Sequence, residues 1–149
     1  MEIQLLNDQS LARIDTKAIR RKIRIILEDL GYPEAELSIV LIDDQKMARL
    51  NETFRGRPGP TNVLAFPQRE GEFGDLNPDL LGDVVVSVET ASKEAEAAGL
   101  SLEEVIDRLI IHGILHLVGF DHQAPEADAA AMEAESRRLR DLLAGEGGP

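Results

Sequence analysis

Hydrophobic positions along the chain follow two rhythms, one of helices and one of buried strands, with turn-forming residues between them. Ile3 to Leu6 predicts a short first strand. Asp15 offers an N-cap, and Ile19, Ile23, Ile26, Leu27 and Leu30 recur at helical spacing until Gly31 and Pro33 end the helix. Leu37 to Ile42 is a nearly continuous apolar, β-branched run, the pattern of a strand buried on both faces. Asp43 or Asp44 caps a second helix with one apolar stripe, Met47, Leu50 and Phe54. Arg55 to Pro60 breaks regular structure, Thr61 to Phe66 reads as a strand stopped by Pro67, and Gln68 to Pro78 as an exposed acidic loop.

Gly82 to Val88 supplies another strand, and Thr90 to Ala98 a surface helix closed by Gly99. Ser101-Leu102-Glu103-Glu104 matches a capping box, with Leu100 and Val105 at the positions of a hydrophobic staple. Beyond it, Val105, Leu109, His112 and His116 form one stripe, while Ile106, Ile110, Ile114 and Leu117 occupy neighbouring faces. A helix apolar nearly all round belongs in the middle of a domain. A last helix begins at Pro125 and runs to about Leu143. The expected fold class is α/β (α+β), a single domain over residues 1–144 with a small sheet of about four strands packed by about five helices, and residues 145–149 a flexible tail.

Composition narrows the chemistry. A chain of 149 residues, 43% hydrophobic, fits one domain with an ordinary core. It has no cysteine, so a transition-metal site must be built from imidazole, carboxylate and water. No secretory signal and no apolar run of membrane-spanning length is visible, which leads us to expect a soluble, cytoplasmic protein. The net charge of −12 weighs against nucleic-acid binding, yet it is unevenly spread. Arg13, Lys17, Arg20, Arg21, Lys22 and Arg24 cluster against Asp15 alone, while acid gathers in Glu89 to Asp107 and the last helix. Such a run is either a basic face for RNA or an ordinary solvated helix surface. With one tyrosine, four phenylalanines and no tryptophan, a base-stacking sheet is poorly supported.

All three histidines fall between His112 and His122. In a helix, residues four apart differ by about 40° around the axis and about 6 Å along it, so His112 and His116 share one side. Gly119 can adopt a left-handed conformation that reverses the chain and returns His122 towards the pair. Three neutral imidazoles suit zinc, nickel or copper and leave a position for water, whose pKa on such zinc sites falls to roughly 7. Asp121 could approach the metal, orient an imidazole or cap the turn. The spacing matches the protease signature H-E-x-x-H-x-x-G-x-x-H, except that Gly113 stands where the general-base glutamate belongs. A phosphodiester, whose own phosphate can accept or relay a proton, depends less on that carboxylate than a peptide does.

The motif His112-Gly113-Ile114-Leu115-His116-Leu117-Val118-Gly119-Phe120-Asp121-His122 resembles that of the bacterial YbeY family of metal-dependent endoribonucleases, also described as rRNA maturation factors. Leu50-Asn51-Glu52-Thr53-Phe54-Arg55-Gly56, followed by Pro60-Thr61-Asn62-Val63-Leu64-Ala65-Phe66-Pro67, is similar to the family's arginine loop and next strand, and Leu81-Gly82-Asp83-Val84-Val85 to its third marker. The resemblance implies a mixed sheet with a metal cleft, and one zinc ion on His112, His116 and His122, with other divalent transition metals as alternatives. It also implies single-stranded endoribonuclease activity in 16S rRNA 3′ end maturation and ribosome quality control, with RNA and the ribosome or ribosomal proteins as partners. Arg55 matches the functional arginine, able to grip a phosphate, with Arg57 a competitor for the role. Asp83 either positions Arg55 or stabilises a turn. The family pattern often has aspartate at Asn62 and serine at Ala65. Two other readings compete: a metal-dependent hydrolase of peptides or small molecules, and a non-catalytic, metal-stabilised ribosome-binding module.

Overall fold

The computed structural model describes residues 1–68, 79–120 and 125–146. Four strands, β1 (Glu2–Asn7), β2 (Glu36–Ile42), β3 (Val63–Pro67) and β4 (Leu80–Ser87), form one sheet in the order β1-β2-β4-β3. β1, β2 and β4 run parallel and β3 lies antiparallel on β4, so the sheet is mixed, as expected. The helices are α1 (Thr16–Asp29), α2 (Asp44–Arg55), α3 (Val88–Ala98), α4 (Leu102–Leu117) and α5 (Pro125–Glu146).

The starts of α1, α2, α3 and α4 are marked by the residue type that satisfies their first free amides. Asp15 accepts from the Ala18 amide at 3.0 Å, and Asp43, rather than Asp44, accepts from Lys46 at 2.9 Å. The capping box of α4 closes in both directions, the Glu104 amide donating to Ser101 Oγ and the Ser101 amide to the Glu104 carboxylate. The helix after β4 begins at Val88, not Thr90, because Ser87 serves as its N-cap. The last helix continues to Glu146, beyond the end expected near Leu143. Of the acidic loop, all but Gln68 lies outside the described residues.

Alternation along the strands divides the interior. Leu37, Ile39, Leu41, Val84 and Val86 join Ile23, Ile26 and Leu27 of α1, Ala91 and Ala95 of α3, and the apolar body of α4 in one large core. The opposite face is covered differently. There Ile42, Leu64 and Val85 pack with Met47 of α2 in a small second core, against the partly buried Val40, Leu50 and Phe66. The strand at 36–42 is therefore fully buried on one face and covered on the other mainly at its end, since Glu36, Ser38 and Val40 keep part of their surface in water. Phe54, expected in the apolar stripe of α2, is 62% exposed and meets Phe66 edge to face at 5.2 Å.

Candidate metal centre and active site

The site is built on α4, the most buried helix of the domain. Val105, Ile106, Leu109, Ile110, Ile111, Ile114, Leu115 and Leu117 are all buried, which fixes the helix against the sheet. Gly113 sets how closely it approaches. A Cβ at that position would fall 2.6 Å from Val84 Cγ1, so the absent side chain is what lets α4 rest on β4. The position where a zinc protease carries its glutamate thus points into the sheet, and a carboxylate cannot be accommodated there without moving the helix.

His112 is exposed and His116 half-buried, one helical turn apart on the side of α4 left open by the sheet. Both side chains are engaged in interactions within the fold. Gly119 has φ +98°, a conformation that side-chain-bearing residues rarely adopt, and its amide donates to the His116 carbonyl at 3.1 Å. The chain therefore turns out of α4 at Gly119. His122 and Asp121 lie outside the described residues. Among the described residues there is no cluster of three or more histidine, aspartate or glutamate side chains placed to hold a metal.

Beside His112 opens a groove of about 260 Å³, lined by Asn62, Arg108, Glu133, Ser136 and Arg140, with Val63 and Leu109 at its apolar floor. Arg55 and Arg57 do not line it. Arg55 is the last residue of α2 and exposed, and the loop from Gly56 to Thr61 leads from it into Asn62. Asp83 lies on the face of the sheet opposite α4, in register with Ser38 and Phe66, and no ion pair joins it to Arg55. Asn62 donates to Glu94 of α3 at 2.9 Å. An aspartate there would set one carboxylate against another, which gives the asparagine a local reason.

Sequence reasoning missed Arg108, although it lies one helical turn before His112 and the same spacing that paired the histidines would have found it. Arg140 left no such signal, being brought to the groove only by the packing of α5 on α4. It donates to Ser136 Oγ at 2.8 Å and to Glu133 at 3.4 Å, while Glu133 also attracts Arg137 at 3.7 Å.

The basic run of α1 is partly spent inside the fold. Arg20 donates to the Ile3 carbonyl, and Lys22 bridges Glu103 at 2.7 Å and Asp107 at 2.8 Å. Burial works against the Lys22 ammonium, but its hydrogen bonds to Asp107 and Glu103 outweigh it and raise its pKa. The Asp107 pKa is raised, chiefly by burial; Lys22 lowers it, but the negative charges of Glu103 and Glu104 add to the rise. Among the described residues no helix is long and apolar enough to cross a membrane.

Fold and site define a small mixed α/β domain whose imidazole pair stands on a buried central helix beside an arginine-bearing groove. The family model described as endoribonuclease YbeY matches residues 4–144. Relatives named endoribonuclease YbeY include those of Geobacter sulfurreducens, 44% identical over 144 residues with 96% of each chain covered, and Thermobifida fusca, 39% identical with 97% of this chain and 94% of that one covered. The solution structure of TM1509 from Thermotoga maritima superposes with a TM-score of 0.68 at 23% identity, covering 97% of this chain and 90% of that one, a likeness of fold. The chain belongs to the endoribonuclease YbeY family, and so to the nucleases among the hydrolases.

Proposed function

We propose that this protein is a zinc-dependent, single-strand-specific endoribonuclease that acts in the cytoplasm on rRNA, at the 3′ end of 16S rRNA, and in ribosome biogenesis and quality control. The observation that carries the reading is the His112–His116 pair on the open side of α4, in a chain that matches the nuclease family from residue 4 to residue 144. The donor set fits a divalent transition metal: two imidazoles one turn apart, and a positive-φ glycine that turns the chain before His122. His112, His116 and His122 would hold the ion, which when bound supplies Lewis-acid chemistry and acidified water. Arg55, free of any carboxylate partner among the described residues, is available to close on a phosphate and stabilise charge developing on it. Gly113 supports a phosphodiester over a peptide, because its contact with Val84 leaves no room for a base beside the first histidine.

The test compares protein purified without an affinity tag with His116→Ala and Arg55→Ala. Metal content should fall in the histidine variant alone, and cleavage of single-stranded RNA in both. Unchanged cleavage in both variants removes the catalytic assignment, and ribosome association without cleavage replaces it with a binding module. Product ends report the nucleophile: a 2′,3′-cyclic phosphate marks attack by the RNA 2′-hydroxyl, and a 5′-phosphate marks hydrolysis by water.

A further inference from the structure

The groove beside His112 carries two guanidiniums that the proposed chemistry does not use. Arg108 projects from α4 one turn before His112, and Arg140 reaches the same groove from α5. We propose that Arg108 and Arg140 form a subsite for a backbone phosphate of the RNA strand next to the scissile one, and so set the direction in which the strand leaves the histidine pair. The inference rests on the endoribonuclease reading and adds to it a place for the neighbouring nucleotide.

Three observations support the subsite. The groove, about 260 Å³, is open and polar, with Asn62 and Ser136 as neutral hydrogen-bonding groups between the charges. Arg108 is exposed and, among the described residues, has no carboxylate partner, so its planar fork keeps its donors for an incoming anion. Arg140 is held by the Ser136 hydroxyl at 2.8 Å, which orients its guanidinium without neutralising it. Among the described residues its only carboxylate contact is Glu133, at a long 3.4 Å and shared with Arg137.

Global charge makes such a local device necessary. At a net charge of −12 the molecule repels a polyanion, and Lys22, in the basic run of α1, is already bridged to Glu103 and Asp107. Both arginines also line an adjoining groove of about 460 Å³, but there Arg21 and Lys22 meet Glu103, Glu104, Asp107 and Asp141, a balanced surface that offers an anion little. Of the two grooves, the one beside His112 carries the more favourable balance for an anion.

Glu133 gives the test a variant of opposite sign. Equilibrium binding and steady-state cleavage of a single-stranded twelve-nucleotide RNA are measured from low to high salt for the metal-loaded parent, Arg108→Gln, Arg140→Gln and Glu133→Gln. Each arginine variant should raise Kd about tenfold at low salt, with the loss falling on KM rather than kcat, and reduce the slope of log Kd against log salt by about one. Glu133→Gln should tighten binding, an effect that damage to the fold does not produce. If the parent cleaves the RNA and the arginine variants keep its Kd and salt slope, the subsite is wrong while the nuclease reading stands. Loss confined to kcat, with Kd unchanged, likewise overturns it. A parent that neither binds nor cleaves RNA removes both.

Discussion

Replacing Gly113 with alanine places a methyl group where α4 rests on the sheet. The new Cβ would stand 2.6 Å from Val84 Cγ1 and 3.0 Å from Cγ2. Val84 is fully buried and stiff at χ1, so neither partner can turn aside. Two effects oppose each other. Alanine favours helix over glycine by about 1 kcal/mol, whereas forcing a methyl into a packed core costs about 1–3 kcal/mol. Carbon atoms prefer about 3.5–4.0 Å, so the overlap is deep and the second effect wins. The expected net loss is about 1–2 kcal/mol.

Removing the obstacle should reverse the sign. Val84→Ala deletes both γ-carbons and leaves Val84 Cβ, 3.3 Å away, as the nearest atom. In that background Gly113→Ala should be neutral or stabilising by up to about 1 kcal/mol, which gives the two positions a coupling of about 2 kcal/mol. Urea unfolding of the four proteins, followed by circular dichroism in the presence of a chelator, measures it without a contribution from bound metal. A Gly113→Ala protein more stable than its parent, or an equal penalty with and without the Val84 γ-carbons, would refute the close-approach argument. Because His112 and His116 ride on the same helix, the displaced α4 should also bind zinc more weakly, read by competition with a chromophoric chelator.

Three further outcomes follow from named contacts. Asp44, at the start of α2, accepts from Ser87 Oγ at 2.6 Å, from Thr90 and from Lys93 at 3.0 Å, while its own amide donates to Glu89 at 3.1 Å, so α2 and α3 clamp each other. Burial alone would raise the Asp44 pKa, but those hydrogen bonds lower it below the usual 3.8. Asp44→Asn should therefore lose about 1–2 kcal/mol at neutral pH, a deficit that holds down to the ordinary carboxylate range and fades as pH falls through the depressed value; a deficit independent of pH in urea titrations contradicts the charge argument. Lys22→Met leaves Asp107 buried without its cation and should cost about 2 kcal/mol. That deficit should narrow as acid protonates Asp107, whose pKa is already raised; a deficit that widens below pH 5 is the opposite sign. Asn62→Asp should lose about 1 kcal/mol against Glu94 and regain it in Glu94→Gln, with thermal melts as the readout; no rescue means the 2.9 Å contact is not what the asparagine serves.

The described helices and all four strands were legible because their signals are local. Asp15, Asp43 and the Ser101–Glu104 box mark helix starts within three residues, and apolar periodicity carries each helix inward. What local pattern cannot report is which side of a strand is covered. Leu37 to Ile42 reads as buried on both faces, yet α2 covers one of those faces only towards the strand's end, a fact of tertiary placement. Phe54 fails for the same reason: its stripe position is right, but α2 overhangs the sheet there and leaves it against Phe66 and water.

The site divides along the same line. His112 and His116 are legible because one helix carries both, and Gly113 between them gives the clearest negative information, a base that cannot be there. The structure turns that absence into a cause, since Val84 occupies the space a side chain would need. Asp83 and Arg55 are adjacent markers by resemblance, but the sheet sets Asp83 on the face away from α4, so no sequence spacing could have assigned it a role beside the histidines. Arg108 and Arg140 show the converse, two residues 32 positions apart that become one groove only when α5 packs on α4. In a protein of net charge −12 a pair assembled this way can attract a polyanion locally against the overall repulsion. The strand would then leave the histidine pair along that groove.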